Sequence, residues 1–554
     1  MIGYRNATYS PQQGTVRVST WDEEGNRVAY SCSYEPYLML EDIHGDKTSI
    51  FNTKLRKRSF RSQFERAKYV KECGTTRLFE NLNPVQQFLI DNYWQHNNDE
   101  DFAKHPLRVV TIDIEVDTCK YKDEESIRIK RHDKEESIDL GTFRSTPGMR
   151  KVYEVWDKET KQWDSYDHSC YIRQSEFPTA EHARHPINVI TIYDNLEDQY
   201  TTWGAYKYTH DKPNLTYHHC PSEKQLLTNF VDYFAALECD LLTGYNSEGF
   251  DIPYIINRIN NLLGEEAYKK LSPVNRVYNR TLNNGLFGKP QIRWYIDGVA
   301  CVDYLDIYKR FIFSNRESYK LDHIAELELG EKKVDYGNTN LANLAKDDWQ
   351  KFVDYNVQDV ALLVKLDRKL DFIALLRMLS YMGLTTLEGA MSTLSTITGS
   401  AAIRARQRKQ FLPTFVRHGD DTKNPGAYVA EPLEGFQSNV VSFDANSLYP
   451  NIMISLNMSP ETKIGEIIDS DEKTVTVKHV NGQEHTLTAE KFMQFVKQEK
   501  IAVSKAKILF SQKQKGILPD ILDEYYKERV AVREEMGKLK RELSNITKKL
   551  ANMK

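Results

Sequence analysis

Paired cysteines, long apolar runs and repeats are what this sequence does without. Its seven cysteines (Cys32, Cys73, Cys119, Cys170, Cys220, Cys239 and Cys301) are scattered and form no Cys-x-x-Cys pair. That spacing predicts reduced thiols in a cytosolic compartment, with neither a disulfide framework nor a zinc site. No stretch approaches the roughly 18 apolar residues that a membrane helix needs, and the opening MIGYRNATYS lacks a charged-then-apolar signal pattern. There is no internal repeat and no low-complexity tract. A large charge of one sign is missing too. The net charge of −4 argues neither for nor against nucleic acid, because binding a polyanion needs only a local basic surface.

What is present is material for a large core. Over 554 residues, 40% are hydrophobic and 11% aromatic, with 32 Tyr and 23 Phe. That length predicts three or four domains. Two basic stretches stand out. Lys54 to Lys71 sets Lys54, Arg56, Lys57, Arg58, Arg61, Arg66, Lys68 and Lys71 among Phe51, Phe60, Phe64 and Tyr69. Ile501 to Lys554 holds 13 Lys/Arg against 7 Asp/Glu. The ordinary reading of either is a solvated helical face.

Along the chain, the first hundred residues mix strand-like pieces such as VRVST and EPYLML with the basic aromatic stretch. A new unit opens at Leu107, where LRVVTIDIEVD is an apolar, β-branched run broken only by acids, as in a strand buried in a mixed or parallel sheet. From Cys119 to about Arg150 the chain is highly charged without a clear period, which predicts a surface insertion. Strand and helix patterns then alternate (NVITIYD, LLTNFVDYFAALECDLLTGYN, DGVACVDYLDIYKRF), predicting an α/β domain to about residue 370. A helical stretch runs through Arg406, NPGAYVAEP marks a turn-rich junction, and NVVSFDANSLYP predicts the start of a further sheet. From Leu518 to Leu550, apolar Val532, Met536, Leu539, Leu543, Ile546 and Leu550 step by three or four, predicting a long amphipathic helix.

The chemistry lies in the acids. Asp113 and Glu115 are separated by one residue in TIDIEVD, so on a strand both carboxylates project to one face. Acids within an apolar strand are costly unless compensated, and a divalent cation is the usual compensator. Taken alone, the pair could equally be exposed edge-strand acids. GYNSEGFDIPYIINR places Asp251 after a strand-to-loop transition, between Asn246 and Pro253. YNVQDVALL sets Tyr355 and Asp359 one helical turn apart, so phenol and carboxylate can face one cavity. Four carboxylates and a tyrosine on strand, loop and helix are what two-metal phosphodiester cleavage requires. In that chemistry one ion activates water and the other stabilises the leaving oxygen, about 4 Å away.

In order and in detail, these segments resemble the three exonuclease motifs of the family B DNA polymerases. The resemblance implies that Asp113, Glu115, Asp251 and Asp359 hold two Mg²⁺ or Mn²⁺ ions and that Tyr355 orients the attacking water of a 3′→5′ proofreading exonuclease. SFDANSLYPNIM resembles the family's polymerase motif A, which assigns Asp444 to the catalytic Mg²⁺. It puts Ser447 and Leu448 near the incoming triphosphate and Tyr449 under the sugar, where a flat ring excludes a 2′-hydroxyl. Gly426 and Tyr428 (Gly-Ala-Tyr-Val) resemble a linker that touches template backbone. Arg529 and Arg533, one turn apart, match the basic positions of the first fingers helix that fork onto phosphate. The style of several segments resembles the T4-like phage branch, which implies a cytoplasmic protein of an infected bacterium.

The resemblance implies a multidomain α/β and α+β fold. Its expected parts are a mixed N-terminal domain over 1–106, an RNase H-like exonuclease domain over 107–371 and a helical return to the N-terminal domain over 372–415. A partial palm over 416–500 and the first part of the fingers over 501–554 follow. The family's Lys-x-x-x-Asn-Ser-x-Tyr-Gly and Asp-Thr-Asp motifs do not occur in these 554 residues. The expectation is therefore an N-terminal polymerase subunit, naturally split or truncated, that needs a C-terminal polypeptide for DNA synthesis and does not extend a primer alone. Expected partners are primer-template DNA, dNTPs, that C-terminal polypeptide and, through it, a sliding clamp, with no membrane. The rival readings are a stand-alone 3′→5′ exonuclease and a non-catalytic nucleic-acid-binding regulator.

Overall fold

β-Branched residues fill VVTIDIEV, and Val109–Val116 forms an inner strand of a six-stranded mixed sheet. The computed structural model describes residues 3–73, 78–95, 105–117, 126–131, 134–139, 154–157, 162–165, 178–282, 291–331, 344–345, 347–414 and 428–553. In spatial order the sheet's strands are Leu215–His219, Gln199–Gly204, Ile187–Asp194, Val109–Val116, Leu241–Thr243 and Ala300–Cys301. Val109–Val116 runs antiparallel to Ile187–Asp194 and parallel to Leu241–Thr243.

Alternation sorts the side chains of that strand onto two faces. Ile112 and Ile114 enter an apolar core with Ile190, Ile192, Phe230 and Ile255, which helices Glu223–Ala236 and Asp251–Leu263 help build. Asp113 and Glu115 take the other face. Their register partners there are Thr191 and Val189, and Val189 packs with Phe352, Val353 and Val357 of helix Trp349–Leu370. The sheet is thus covered on both faces, and the acids lie on the side covered by Trp349–Leu370.

Two compact units emerge, and they do not follow chain order. One joins Met1–Tyr34 to Gln95–Thr396, the other Glu35–Trp94 to Ile397–Lys554. Residues expected as one N-terminal domain are shared between them. The first unit holds the six-stranded sheet, an antiparallel sheet of Tyr4–Ser10, Thr15–Trp21 and Arg27–Ser33, and the hairpin Val277–Leu282 with Gln291–Ile296.

The charged stretch after Glu115, read from sequence as lacking a period, contains regular structure where it is described. Its strands Lys134–Asp139 and Ser126–Arg131, with Glu154–Asp157 and Gln162–Ser165 from beyond the stretch, form an antiparallel sheet in that order. Cross-strand pairs hold it together: Arg128 meets Glu135 at 2.6 Å, and the rings of Trp156 and Trp163 pack edge to face. Such cross-strand pairs depend on the hairpin register rather than on a hydrophobic period, so a search for periodicity does not register them.

In the second unit a six-stranded sheet contains Tyr37–Glu41 and Lys54–Ser59, and a five-stranded sheet contains Lys463–Ser470, Thr474–His479 and Ile508–Ser511. The amphipathic pattern near the C-terminus forms one helix, Ile517–Met553. Its residues Val532, Met536, Leu539, Leu543, Ile546 and Leu550 are all exposed. The strand expected at NVVSFDA is not formed: residues 428–446 carry neither helix nor strand, and none of the described strands pairs with them. β-Branched and aromatic composition favours a strand only where a neighbour supplies backbone partners and a surface to pack on.

Candidate active site

Asp113 and Glu115 leave the strand on one face, and Asp359 comes to them from the helix above. One carboxylate oxygen from each lies within 4.8 Å of the other two. Three hard oxygen donors so placed suit Mg²⁺ or Mn²⁺, since like charges this close need a cation between them. Tyr355 and Asp359 are buried, one turn apart on Trp349–Leu370.

Asp251 stands beside this set rather than within it. It opens helix Asp251–Leu263 and is buried, and its Oδ1 accepts the N–H of Ile114 at 3.1 Å. Ile114 is the residue between Asp113 and Glu115. Burial raises the Asp251 carboxyl, with the charges of Asp303 and Asp359 adding, against the N–H bonds from Ile114 and its own backbone.

Two residues that the sequence reading did not single out hold these elements together. Asn356 is fully buried, and its Nδ2 donates to Asp113 Oδ2 at 2.6 Å, fixing the strand acid from the helix that carries Asp359. Asp303 is buried at the start of helix Tyr304–Phe311. Its Oδ1 accepts from the N–H groups of Asn246 (2.9 Å) and Leu305 (2.9 Å), and its Oδ2 from that of Glu248 (3.2 Å). It thereby ties down the loop that delivers Asp251. Burial pushes the Asp303 carboxyl up to about 6, against those backbone bonds. An Asp opening a helix after a strand was a visible capping signal, whereas an Asn inside a helix carries none.

The loop approaches the acid-bearing strand closely. A Cβ on Gly244 would lie 2.5 Å from the carbonyl oxygen of Ile112, so only glycine fits. Asn246 then adopts φ +64°, a conformation asparagine tolerates. Beside the loop lies a cavity of about 650 Å³ lined by Asn246, Glu248, Arg293, Asp303, Asp306 and Lys309. Burial pushes Glu248 up to about 8 although Arg293 lies 2.6 Å away.

The motif A residues stand in a different setting. Phe443 is 93% exposed, Asp444 is exposed and Tyr449 is 76% exposed. Ser447, at φ +50°, precedes helix Leu448–Leu456. Arg529 Nη1 donates to Ser447 Oγ at 3.0 Å, bringing together two residues expected near the triphosphate. Arg533 lies exposed one turn further on the same helix, and Leu448 is half exposed. Tyr428 is 91% exposed, and Gly426 lies outside the described residues.

The basic stretch near the N-terminus divides by burial. Arg66 is buried, donating to Gln87 Oε1 and the carbonyl of Leu82, so it serves the core. Lys54, Arg56, Lys57 and Arg58 are exposed on strand Lys54–Ser59.

A family model described as DNA polymerase family B, exonuclease domain, matches residues 151–324, and one described as DNA polymerase family B matches residues 395–553. The first contains Asp251 but neither Asp113 and Glu115 nor Tyr355 and Asp359. The second contains Asp444 to Tyr449 and both arginines. The chain is similar to the DNA-directed DNA polymerase of Escherichia phage RB69, 30% identical over 314 residues, 52% of this chain and 34% of that protein. It is similar to that of Enterobacteria phage T4, 30% identical over 318 residues, 52% of this chain and 35% of that protein. A DNA polymerase delta catalytic subunit of Plasmodium falciparum is 28% identical over 353 residues, 60% of this chain and 29% of that protein. The chain spans about a third of the length of the relatives it matches. Among the described residues no helix is long and apolar enough to cross a membrane.

Proposed function

Because the chain belongs to family B of the DNA polymerases, we propose that it hydrolyses DNA from the 3′ end at the Asp113–Glu115–Asp359 site, as a proofreading exonuclease. The observation that carries this reading is the set of three carboxylates within 4.8 Å, braced by Asn356. Asp113, Glu115 and Asp359 would hold divalent ions, with Asp251 as the fourth carboxylate; a nearby cation favours its ionised form. Bound there, the ions would activate water and neutralise charge on the leaving oxygen. Tyr355 orients the attacking water, and Asn356 keeps Asp113 in its ligating position.

The second half of the reading is DNA synthesis on primer-template with dNTPs. Asp444 would hold catalytic metal, Ser447 and Leu448 would meet the triphosphate, and Tyr449 would exclude a ribose 2′-hydroxyl. Arg529 and Arg533 would fork onto phosphate, and Gly426 and Tyr428 would touch the DNA backbone. The contact between Arg529 and Ser447 supports this grouping. Partners on this reading are a polypeptide segment carrying the remaining palm, fingers and thumb, and a sliding clamp reached through it, in the host-cell cytoplasm.

The test uses a 5′-labelled single-stranded oligonucleotide with the purified chain and Mg²⁺. A ladder shortening from the 3′ end, abolished by EDTA, is expected. An intact label across a Mg²⁺ and Mn²⁺ titration would overturn the exonuclease reading.

A further inference from the structure

A second cavity of the first unit shares no residue with the carboxylate site. Strand Thr15–Trp21 buries Val16 and Val18 and turns Arg17 to the other face. Across the three-stranded sheet Arg17 is registered between Thr8 and Ser31, and Ser10 is registered with Thr15. All five line a cavity of about 370 Å³, together with Arg276 and Asp297.

Two cations border this space, and they are in different states. Arg276 is paired with Asp297 and donates to the carbonyl of Tyr9 at 2.9 Å. The Arg17 side chain has no hydrogen-bond or ion-pair partner among the described residues, and its Nε is closed off from solvent. Other arginines with largely buried side chains in the same unit, Arg5, Arg27, Arg108, Arg258 and Arg293, each meet a carboxylate. An arginine with no acceptor for its guanidinium N–H groups leaves donors unsatisfied, and the Arg17 side chain brings such donors to this cavity, where a ligand offering oxygens would meet them.

The ligand class follows from the donors. A permanently charged planar fork ringed by Thr8, Ser10, Thr15 and Ser31 hydroxyls offers N–H and O–H donors around one positive charge, the set that phosphate oxygens take up. The one acid present is committed to Arg276, so it does not cancel Arg17. The volume falls at the lower end of the roughly 300–1,000 Å³ of small-molecule sites, enough for a phosphate with its nucleoside. We propose that this cavity binds the phosphate group of a nucleotide, with Arg17 as the residue that holds it. The inference does not rest on the exonuclease reading.

The phosphate could belong to a free nucleotide or to a DNA strand, and one experiment separates them. Inorganic phosphate, a deoxynucleoside 5′-monophosphate and a single-stranded decamer are titrated calorimetrically onto the full chain in EDTA, which keeps divalent ions out of the carboxylate site. Arg17→Gln should weaken nucleotide or decamer binding at least tenfold, and Arg17→Lys should recover part of it. Loss confined to the decamer assigns the site to strand phosphate; loss for the monophosphate as well assigns it to free nucleotide. If Arg17→Gln does not fold, Ser31→Asp, at the exposed end of the row, should abolish the same binding by placing an anion beside Arg17. No binding of any probe, or binding indifferent to both substitutions, overturns the proposal.

Discussion

Asp113 and Asp444 both follow a large apolar residue in a segment rich in β-branched side chains, yet the two regions are held very differently. Ile112 and Ile114 on either side of Asp113 are buried, the strand is paired on both edges, and the Asn356 amide reaches the carboxylate from a covering helix. Phe443 beside Asp444 is 93% exposed, with no strand partner among the described residues, and the contacts that follow it are Asn451 Nδ2 to the Asn446 carbonyl and Arg529 to Ser447. Preorganisation of a charged site comes from what surrounds it, because side chains locked by packing and hydrogen bonds lose little on binding an ion or reaching the transition state. The first region has that surround. In the second, the motif's apolar residues and the apolar residues Val532, Met536, Leu539, Leu543, Ile546 and Leu550 of Ile517–Met553 lie exposed.

The comparison breaks most readily at the acids themselves. Asp113→Ala with Glu115→Ala should lower 3′-end hydrolysis by on the order of 10³-fold, because two of three clustered ligands vanish; a single-turnover assay reads this, and unchanged degradation would refute the site. Asn356→Leu should cost about 10–100-fold, the usual penalty for losing a group that orients a metal ligand. Because Asn356 acts through Asp113, the Mg²⁺ concentration for half-maximal activity should rise as well, a shift that mere loosening of the fold would not produce. Asp303→Asn should lower activity several-fold and destabilise by about 1–3 kcal/mol, since an amide N–H₂ then faces the backbone donors it replaces an acceptor for. Faster hydrogen exchange at the Asn246 and Glu248 amides would report it.

Smaller still is a pH effect at Glu388, whose carboxyl burial pushes up to about 7 although its Oε1 accepts the Cys301 N–H at 2.9 Å. The native state keeps a proton that the unfolded chain loses above its ordinary value of 4.5. This contribution to stability is present in full below that value and is lost as pH rises through about 7. Glu388→Gln should therefore be more stable than the parent at pH 8, by about 1–3 kcal/mol, and no more stable than the parent at pH 4.5. At the far end, Asp444→Asn should leave both single-strand hydrolysis and the melting temperature unchanged, because that carboxylate is exposed and supports no packing. A clear loss of either would erase the contrast between the two regions.

Much of the site could be read before any fold was known. The one-residue spacing of Asp113 and Glu115 placed them on one face, and the four-residue spacing of Tyr355 and Asp359 put both on one side of a helix. Asn356 could not be read this way: its role depends on which strand the helix covers. Nor could the register of Arg17 against Thr8 and Ser31, the sheet that the charged stretch joins, or the division that sends Met1–Tyr34 and Glu35–Trp94 to different units.

Local periodicity and residue chemistry by themselves determined which side chains share a face, where the amphipathic helix runs and which acids could ligate a cation, because these follow from backbone geometry within a few residues. Tertiary structure alone decided that Asp359 meets Asp113 and Glu115, that Asp251 is held on the Ile114 N–H beside them, and that Asp444 stands open. Those outcomes turn on register and packing between segments more than a hundred residues apart, where burial and pairing set the energy of each charge.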